Sequence, residues 1–170
     1  MRFYSSTECA EWCSQLQVAL DDQGQPAREL THAHRLRCNF PQSFTQLLWF
    51  SRSIESALQP RETCLLWVTG WGIFPSNENH HLYYRLRQSY GDVRLLHEAP
   101  GHVCLDYERS EVVTIVHLCI LFGWDVHLIP SAGYGQAFVC HDEWAEIGFD
   151  DQSQFEETRQ AFEQARLEIG

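Results

Sequence analysis

The stretch Leu95–Asp106, LLHEAPGHVCLD, gathers His97, Glu98, His102 and Asp106. Residues of these types can ligate zinc or exchange protons with a substrate. The spacing is not HExxH, and Pro100 interrupts the helix which that motif needs. His97, His102 and Asp106 would have to converge from a loop and a strand, and no neighbouring Ser or Cys is marked as a nucleophile. His32 and His34, in HAH, share one face of an extended segment but lack a nearby third ligand. His80 and His81 are adjacent, so on a helix they point about 100° apart and do not share a metal. His117 lies in an almost wholly apolar run and reads as a core histidine. The seven cysteines, Cys9, Cys13, Cys38, Cys64, Cys104, Cys119 and Cys140, form no CxxC and mostly sit in apolar runs. They read as buried thiols of a reducing compartment, not as a disulfide framework. We therefore expect no metal, no cofactor and no catalytic residue.

Two other stretches look suited to contact. In GWGIFPSNEN, Gly70 and Gly72 let the backbone turn about Trp71, and Pro75 sets the approach to a helix cap at Ser76. Trp71 and Phe74 would be aromatic anchors, with Glu78 and Asn79 as polar neighbours. A phosphate cradle is disfavoured there, because Glu78 is acidic and no basic residue is near. The segment also reads as a plain strand-to-helix connection. In CHDEWAEIGFDD, the carboxylates Asp142, Glu143 and Glu146 surround Trp144, a mixture typical of a recognition edge. The plain alternative is a solvated loop with Trp144 and Ile147 turned inward. Tyr134, in PSAGYG, belongs to a third unusual loop.

Helical spacing predicts helices near 8–20 with Thr7 as cap, over Phe44–Leu58, from the Ser76 cap to about Ser89, over Ser110–Phe122, and near 152–167. MRFYS, HRLRCNF, TCLLWVTG, WDVHLI and GQAFVCH read as strands, and Pro100–Gly101 divides two shorter extended pieces. Strand and helix alternate along one domain spanning residues 1–170. The expected architecture is a layered α/β sandwich with a mostly parallel central sheet and a C-terminal hairpin or edge strand. Were the strands before 71–79 and 131–136 parallel neighbours, those two loops would meet. They would then form the site of an α/β enzyme or small-ligand binder.

Charge narrows the choice. The 170-residue chain has net charge −11, and all its cationic side chains are arginines or histidines. From Asp142 to Gly170 nine carboxylates face two arginines. Such a region does not neutralise phosphate, so nucleic acid is not an expected ligand. It suits a basic protein partner, whose approach it would accelerate. No apolar run is long enough to span a bilayer and no signal peptide is evident, so no membrane partner is expected.

The segments WGIFPSNENHHLYYRLRQSYGD, LLHEAPGHVCLDYE, GWDVHLI and HDEWAEIGFDD together resemble a group of small, acidic bacterial proteins associated with polymorphic-toxin immunity, over roughly Cys64–Asp151. The resemblance implies a cytoplasmic antitoxin that binds a cognate toxin domain and blocks its basic active-site cleft. It implies no catalytic residues. Trp71, Phe74, Glu78, Asn79, Tyr134, Asp142, Glu143, Trp144 and Glu146 are the expected contact residues.

Overall fold

The computed structural model describes residues 1–71 and 77–170, and of 77–80 the backbone alone. The elements run β1 (Arg2–Tyr4), α1 (Ser6–Gln15), β2 (His34–Asn39), α2 (Phe44–Leu58), β3 (Arg61–Gly70), α3 (Asn77–Ser89), β4 (Gly101–Leu105), α4 (Arg109–Phe122), β5 (Asp125–Ala132), β6 (Gly135–Cys140), β7 (Trp144–Phe149) and α5 (Gln152–Gln164).

The strands form one sheet in the order β1-β4-β3-β5-β6-β7-β2, and every neighbouring pair is antiparallel. The expected mostly parallel sheet is therefore wrong. Helices α2 and α4 do link strands that point the same way, β2 to β3 and β4 to β5. Those strands are not neighbours. β3 lies between β4 and β5, and β5, β6 and β7 lie between β3 and β2. Between β3 and β4, the segment after α3 brings the chain back to the end it left, so the two strands pair antiparallel, Trp67 opposite Gly101.

β3 is covered on both faces, which explains its continuous apolar run. Cys64, Leu66 and Val68 face the layer of α2, α4 and α5, where Phe50, Ile54, Ile115, Val116 and Phe162 complete the main core. Leu65 and Trp67 face α1, against Cys9, Cys13, Val103 and Ile129. On α2 the buried Phe50, Ile54 and Leu58 recur every four residues, and each such burial stabilises by about 1.5–3 kcal/mol. Farther along the α1 face, Leu30 of the loop before β2 covers Phe138 and Cys140.

α1 begins two residues earlier than expected and ends at Gln15, short of the expected 20. Ser5 is the cap, and Glu8 completes a capping box with it. The stretch expected to be a recognition edge or a solvated loop forms strand β7, with Ala145, Ile147 and Phe149 pointing into the main core. The outer edge of β2 pairs with the C-terminal residues: Asn39 N–H donates to Glu168 O, and Gly170 N–H to Arg37 O. All seven cysteines are buried and free. Among the described residues no helix is long and apolar enough to cross a membrane.

Candidate functional site at one end of the sheet

Register places Gly70, at the end of β3, opposite Asp125, at the start of β5. Cys140 closes β6 opposite Trp144 of β7. Trp71, Trp124, Asp125 and the turn His141–Glu143 therefore share one end of the sheet.

Asp125 organises that end. It is almost fully buried and lies so close to Gly70 that a Cβ there would stand 2.8 Å from its Oδ2. Its Oδ1 accepts the His141 backbone N–H at 2.8 Å and pairs with His141 Nδ1, also at 2.8 Å. Its Oδ2 accepts from Arg28 Nη2 at 2.7 Å. A carboxylate on Nδ1 holds that nitrogen as the donor and leaves Nε2 facing outward, 3.3 Å from Asp142 Oδ1. Glu143 completes the turn in a left-handed conformation, φ 65°, with its carbonyl accepting from Phe40 N–H at 2.8 Å. Beside the turn lies a groove of about 370 Å³, walled by Phe40, Pro41, Leu47, Leu121 and Phe122, with His141 and Glu143 on its rim.

Trp71 closes the neighbouring aromatic cluster. Its ring meets Trp124 edge-on at 4.9 Å and Tyr83 at 5.9 Å, and Trp124 in turn meets Phe122 at 5.1 Å. Beneath the cluster the Tyr83 hydroxyl hydrogen-bonds His102 Nε2, while His102 Nδ1 lies 3.2 Å from Leu66 O. Burial pushes the pKa of His102 down to about 4, so its ring is neutral at pH 7. A neutral ring that donates from Nδ1 to the carbonyl accepts the tyrosine proton at Nε2. Arg87 is also fully buried, pairing with Asp92 at 2.8 Å and lying over the Phe3 ring at 4.8 Å.

These positions revise the expected site. His97, His102 and Asp106 do not converge: His102 is sealed inside, His97 is exposed, and Asp106 lies past the far end of β4. Tyr134 stands at the opposite end of the sheet, where its hydroxyl accepts from Arg61 Nη2 at 2.7 Å. Trp71 and the 133–135 turn are thus held apart, because β3 and β5 are antiparallel, Arg61 opposite Ala132 and Gly70 opposite Asp125. Among the described residues, then, the loops expected to form a joint site at 71–79 and 131–136 lie at opposite ends of the sheet. Glu146 is buried and accepts Leu30 N–H at 3.3 Å, so its carboxylate is turned inward and not presented at the surface. Trp144 is half-buried, edge-on to Phe138 at 5.5 Å and covered by the Arg37 guanidinium at 3.7 Å. Asp142 and Glu143 are exposed. Phe74 lies outside the described residues, as do the side chains of Glu78 and Asn79. The organising residues Arg28, Asp125 and His141 were missed. Their signal was present in GWDVHL, where a single aspartate stands flush with an apolar strand, and in the HD that follows β6.

No family model, no curated protein and no solved structure matches the chain.

Chemistry at this end is set by what the side chains already hold. Asp125, Cys140 and His141 bring three potential metal-ligand atoms within 4.8 Å of one another. Both Asp125 oxygens are occupied by hydrogen bonds, from His141 and from Arg28. Burial pushes the Cys140 thiol up to about 11, so without a metal it stays protonated and is a poor nucleophile. What the network does is tie a short turn to the end of the sheet, with the Asp142 and Glu143 carboxylates outside and a groove of mixed polarity alongside.

Proposed function

We propose that this protein is a cytoplasmic immunity-type binder that neutralises a cognate toxin domain through the Asp142 end of its sheet. The observation that carries the reading is the pairing of two exposed carboxylates, on a turn pinned by Asp125, with a groove of mixed polarity in which Phe40, Leu47 and Phe122 stand beside Gln42, His141 and Glu143. Basic groups with which a toxin holds its own substrate fit Asp142 and Glu143, and a side chain with an apolar body and a polar tip fits the groove beside them. The net charge of −11 speeds the encounter at low salt. A turn tied to the sheet end also means that less conformational freedom is lost on docking. The resemblance to immunity proteins points the same way. No cofactor enters this function.

The test is coexpression with the product of the adjacent upstream gene, followed by copurification and a toxicity assay. The expected result is a stoichiometric complex and rescue of growth, both weakened by Asp142→Asn with Glu143→Gln. A complex that forms equally well with the double variant would move the site elsewhere. Failure to bind that product would remove the immunity reading.

A further inference from the structure

We propose that Asp125, Cys140 and His141 bind one zinc ion where β5, β6 and the turn after β6 meet. The proposal is independent of the toxin reading, because it concerns what the protein holds on its own. Spacing along the chain predicts no such site, since its members stand on two strands that only antiparallel register joins. Val126 pairs with Val139, so the next residues outward, Asp125 and Cys140, face each other across the two strands. His141 follows Cys140 and turns back on Asp125. One ligand atom from each then lies within 4.8 Å of the other two.

The donor set selects the ion. A thiolate, an imidazole and a carboxylate together suit zinc, whereas magnesium and calcium take oxygen ligands. Zinc bonds of about 2.0–2.3 Å at tetrahedral angles set donors about 3.3–3.5 Å apart. Asp125 Oδ1 and His141 Nδ1 stand 2.8 Å apart, so they must separate by about 0.5 Å, while the Cys140 sulfur closes in by rotating its side chain. Three protein ligands leave the fourth position to water. Leu30, Phe138 and Trp144 pack around Cys140 and shield the sulfur, and the partly exposed His141 leaves the ion a way in.

The hydrogen bonds at Asp125 permit the exchange. Oδ1 accepts from both the His141 backbone N–H and the ring. The ion takes the place of the ring hydrogen alone, and the backbone bond stays. With zinc on Nδ1 the ring carries its hydrogen on Nε2, where Asp142 Oδ1 stands 3.3 Å away to accept it. A carboxylate behind a ligating histidine fixes the ring in this way at many metal sites. Arg28 does the same for the ligating carboxylate, donating to Asp125 Oδ2 at 2.7 Å. The Cys140 thiol gives up its proton to solvent as the zinc–sulfur bond forms, as a coordinating thiol does. Asp125, Asp142 and the thiolate then balance the charges of zinc and Arg28.

Calorimetric titration of the chain, freed of metal by a chelator, with zinc chloride tests the proposal. The expected result is one zinc per chain with release of about one proton per ion, read from buffers of different ionisation enthalpy. Cobalt in the same site should show the near-ultraviolet charge-transfer band of a thiolate ligand. Cys140→Ser should abolish that band and weaken zinc by at least about tenfold, and Asp142→Ala, behind the histidine, should weaken zinc by about tenfold. His97→Gln, at an exposed histidine elsewhere, should leave the affinity unchanged. Circular dichroism confirms the folding of each variant. Should Cys140→Ser fail to fold, His141→Ala, at a partly exposed ring, carries the same test. The proposal is overturned if stoichiometric binding is absent, if Cys140→Ser or His141→Ala holds zinc as well as the parent, or if His97→Gln loses it. Toxin is absent from this assay, so its outcome leaves the immunity reading where it stands.

Discussion

Two polar clusters sit within one strand length of each other and use similar side chains to opposite ends. Under the aromatic cluster, His102, Tyr83, Arg87 and Asp92 are closed in, with the Arg87 side chain 0% exposed and that of Asp92 8%. At the sheet end, His141, Asp125 and Arg28 also join a histidine, a carboxylate and an arginine. There the Arg28 side chain is 57% exposed, and the turn it helps to hold is open to solvent. The carboxylates are buried alike, and the difference lies in the arginine and the histidine, both closed in under the aromatic cluster and both open to water at the sheet end. A closed cluster can only specify packing, because no ligand reaches it. The half-open one converts the same hydrogen bonds into a fixed presentation of Asp142 and Glu143.

The contrast is sharpest when one carboxylate is removed from each. Burial opposes ionisation of Asp92, but hydrogen bonds from Arg94 and Arg87 outweigh it and hold its carboxyl below the ordinary range. Asp92→Ala would leave Arg87 buried and uncompensated, at a cost of about 3–5 kcal/mol. Asp125→Ala frees an arginine that water can reach and should cost about 1–2 kcal/mol through lost hydrogen bonds. Urea denaturation of both variants measures the gap. Equal losses would mean that the two clusters are energetically alike and that the comparison fails.

Acid should find the closed histidines next. Burial lowers His102 to about 4, and it does the same to His127, which stacks on Phe138 at 4.5 Å. Unfolded histidine titrates near pH 6.5. As pH falls from about 6.5 the unfolded chain takes up protons that the folded chain refuses, so stability drops until about pH 4 and then ceases to fall on their account. Each ring contributes roughly 3 kcal/mol over that window, and half-buried His117, also lowered by burial, adds in the same direction. Carboxylates held low by hydrogen bonds, such as Asp92 and Glu111, lose their contribution at still lower pH. Thermal unfolding measured every half unit of pH reads this slope, and His127→Gln should reduce it. A flat profile between pH 6.5 and 4 would show that both rings are protonated freely in the folded state.

Much of this architecture was legible one element at a time. The spacing of Phe50, Ile54 and Leu58 gives α2, and the apolar run from Val112 to Ile120 closing on Gly123 gives α4. Strand order was not legible, because a crossover helix reports the direction of the strands it joins and not what lies between them. β7 was hidden by composition: Trp144, Glu146 and Gly148 on its far face masked Ala145, Ile147 and Phe149 on the near one. The site was half legible. Asp142 and Glu143 were named from charge, and Trp71 from its glycines, though its ring packs inward on Trp124. Asp125 and His141 were missed because their partnership spans two strands, and antiparallel register alone brings them together.

The smallest effect tests the open cluster most directly. Glu143 holds φ 65° in the turn between β6 and β7, a conformation that costs an L-residue roughly 1–2 kcal/mol and glycine almost nothing. Its side chain is exposed, so removing it forfeits no packing. Glycine also gives freedom to the unfolded chain, which offsets part of the relief. Glu143→Gly should therefore leave stability unchanged or raise it by up to about 1 kcal/mol. Asp142→Asn leaves the backbone as it is and should shift stability by less than about 0.5 kcal/mol. If the turn exists to present charge to the proposed toxin partner, both variants should slow association with it at low salt, and the deficit should shrink as salt screens the field. Stability and binding would then move in opposite directions for Glu143→Gly, which a purely structural turn does not do. Stopped-flow association at two ionic strengths, set beside urea denaturation, separates the cases. A more stable variant that associates at the parent rate at both salts would make Glu143 a strained turn residue with no share in recognition.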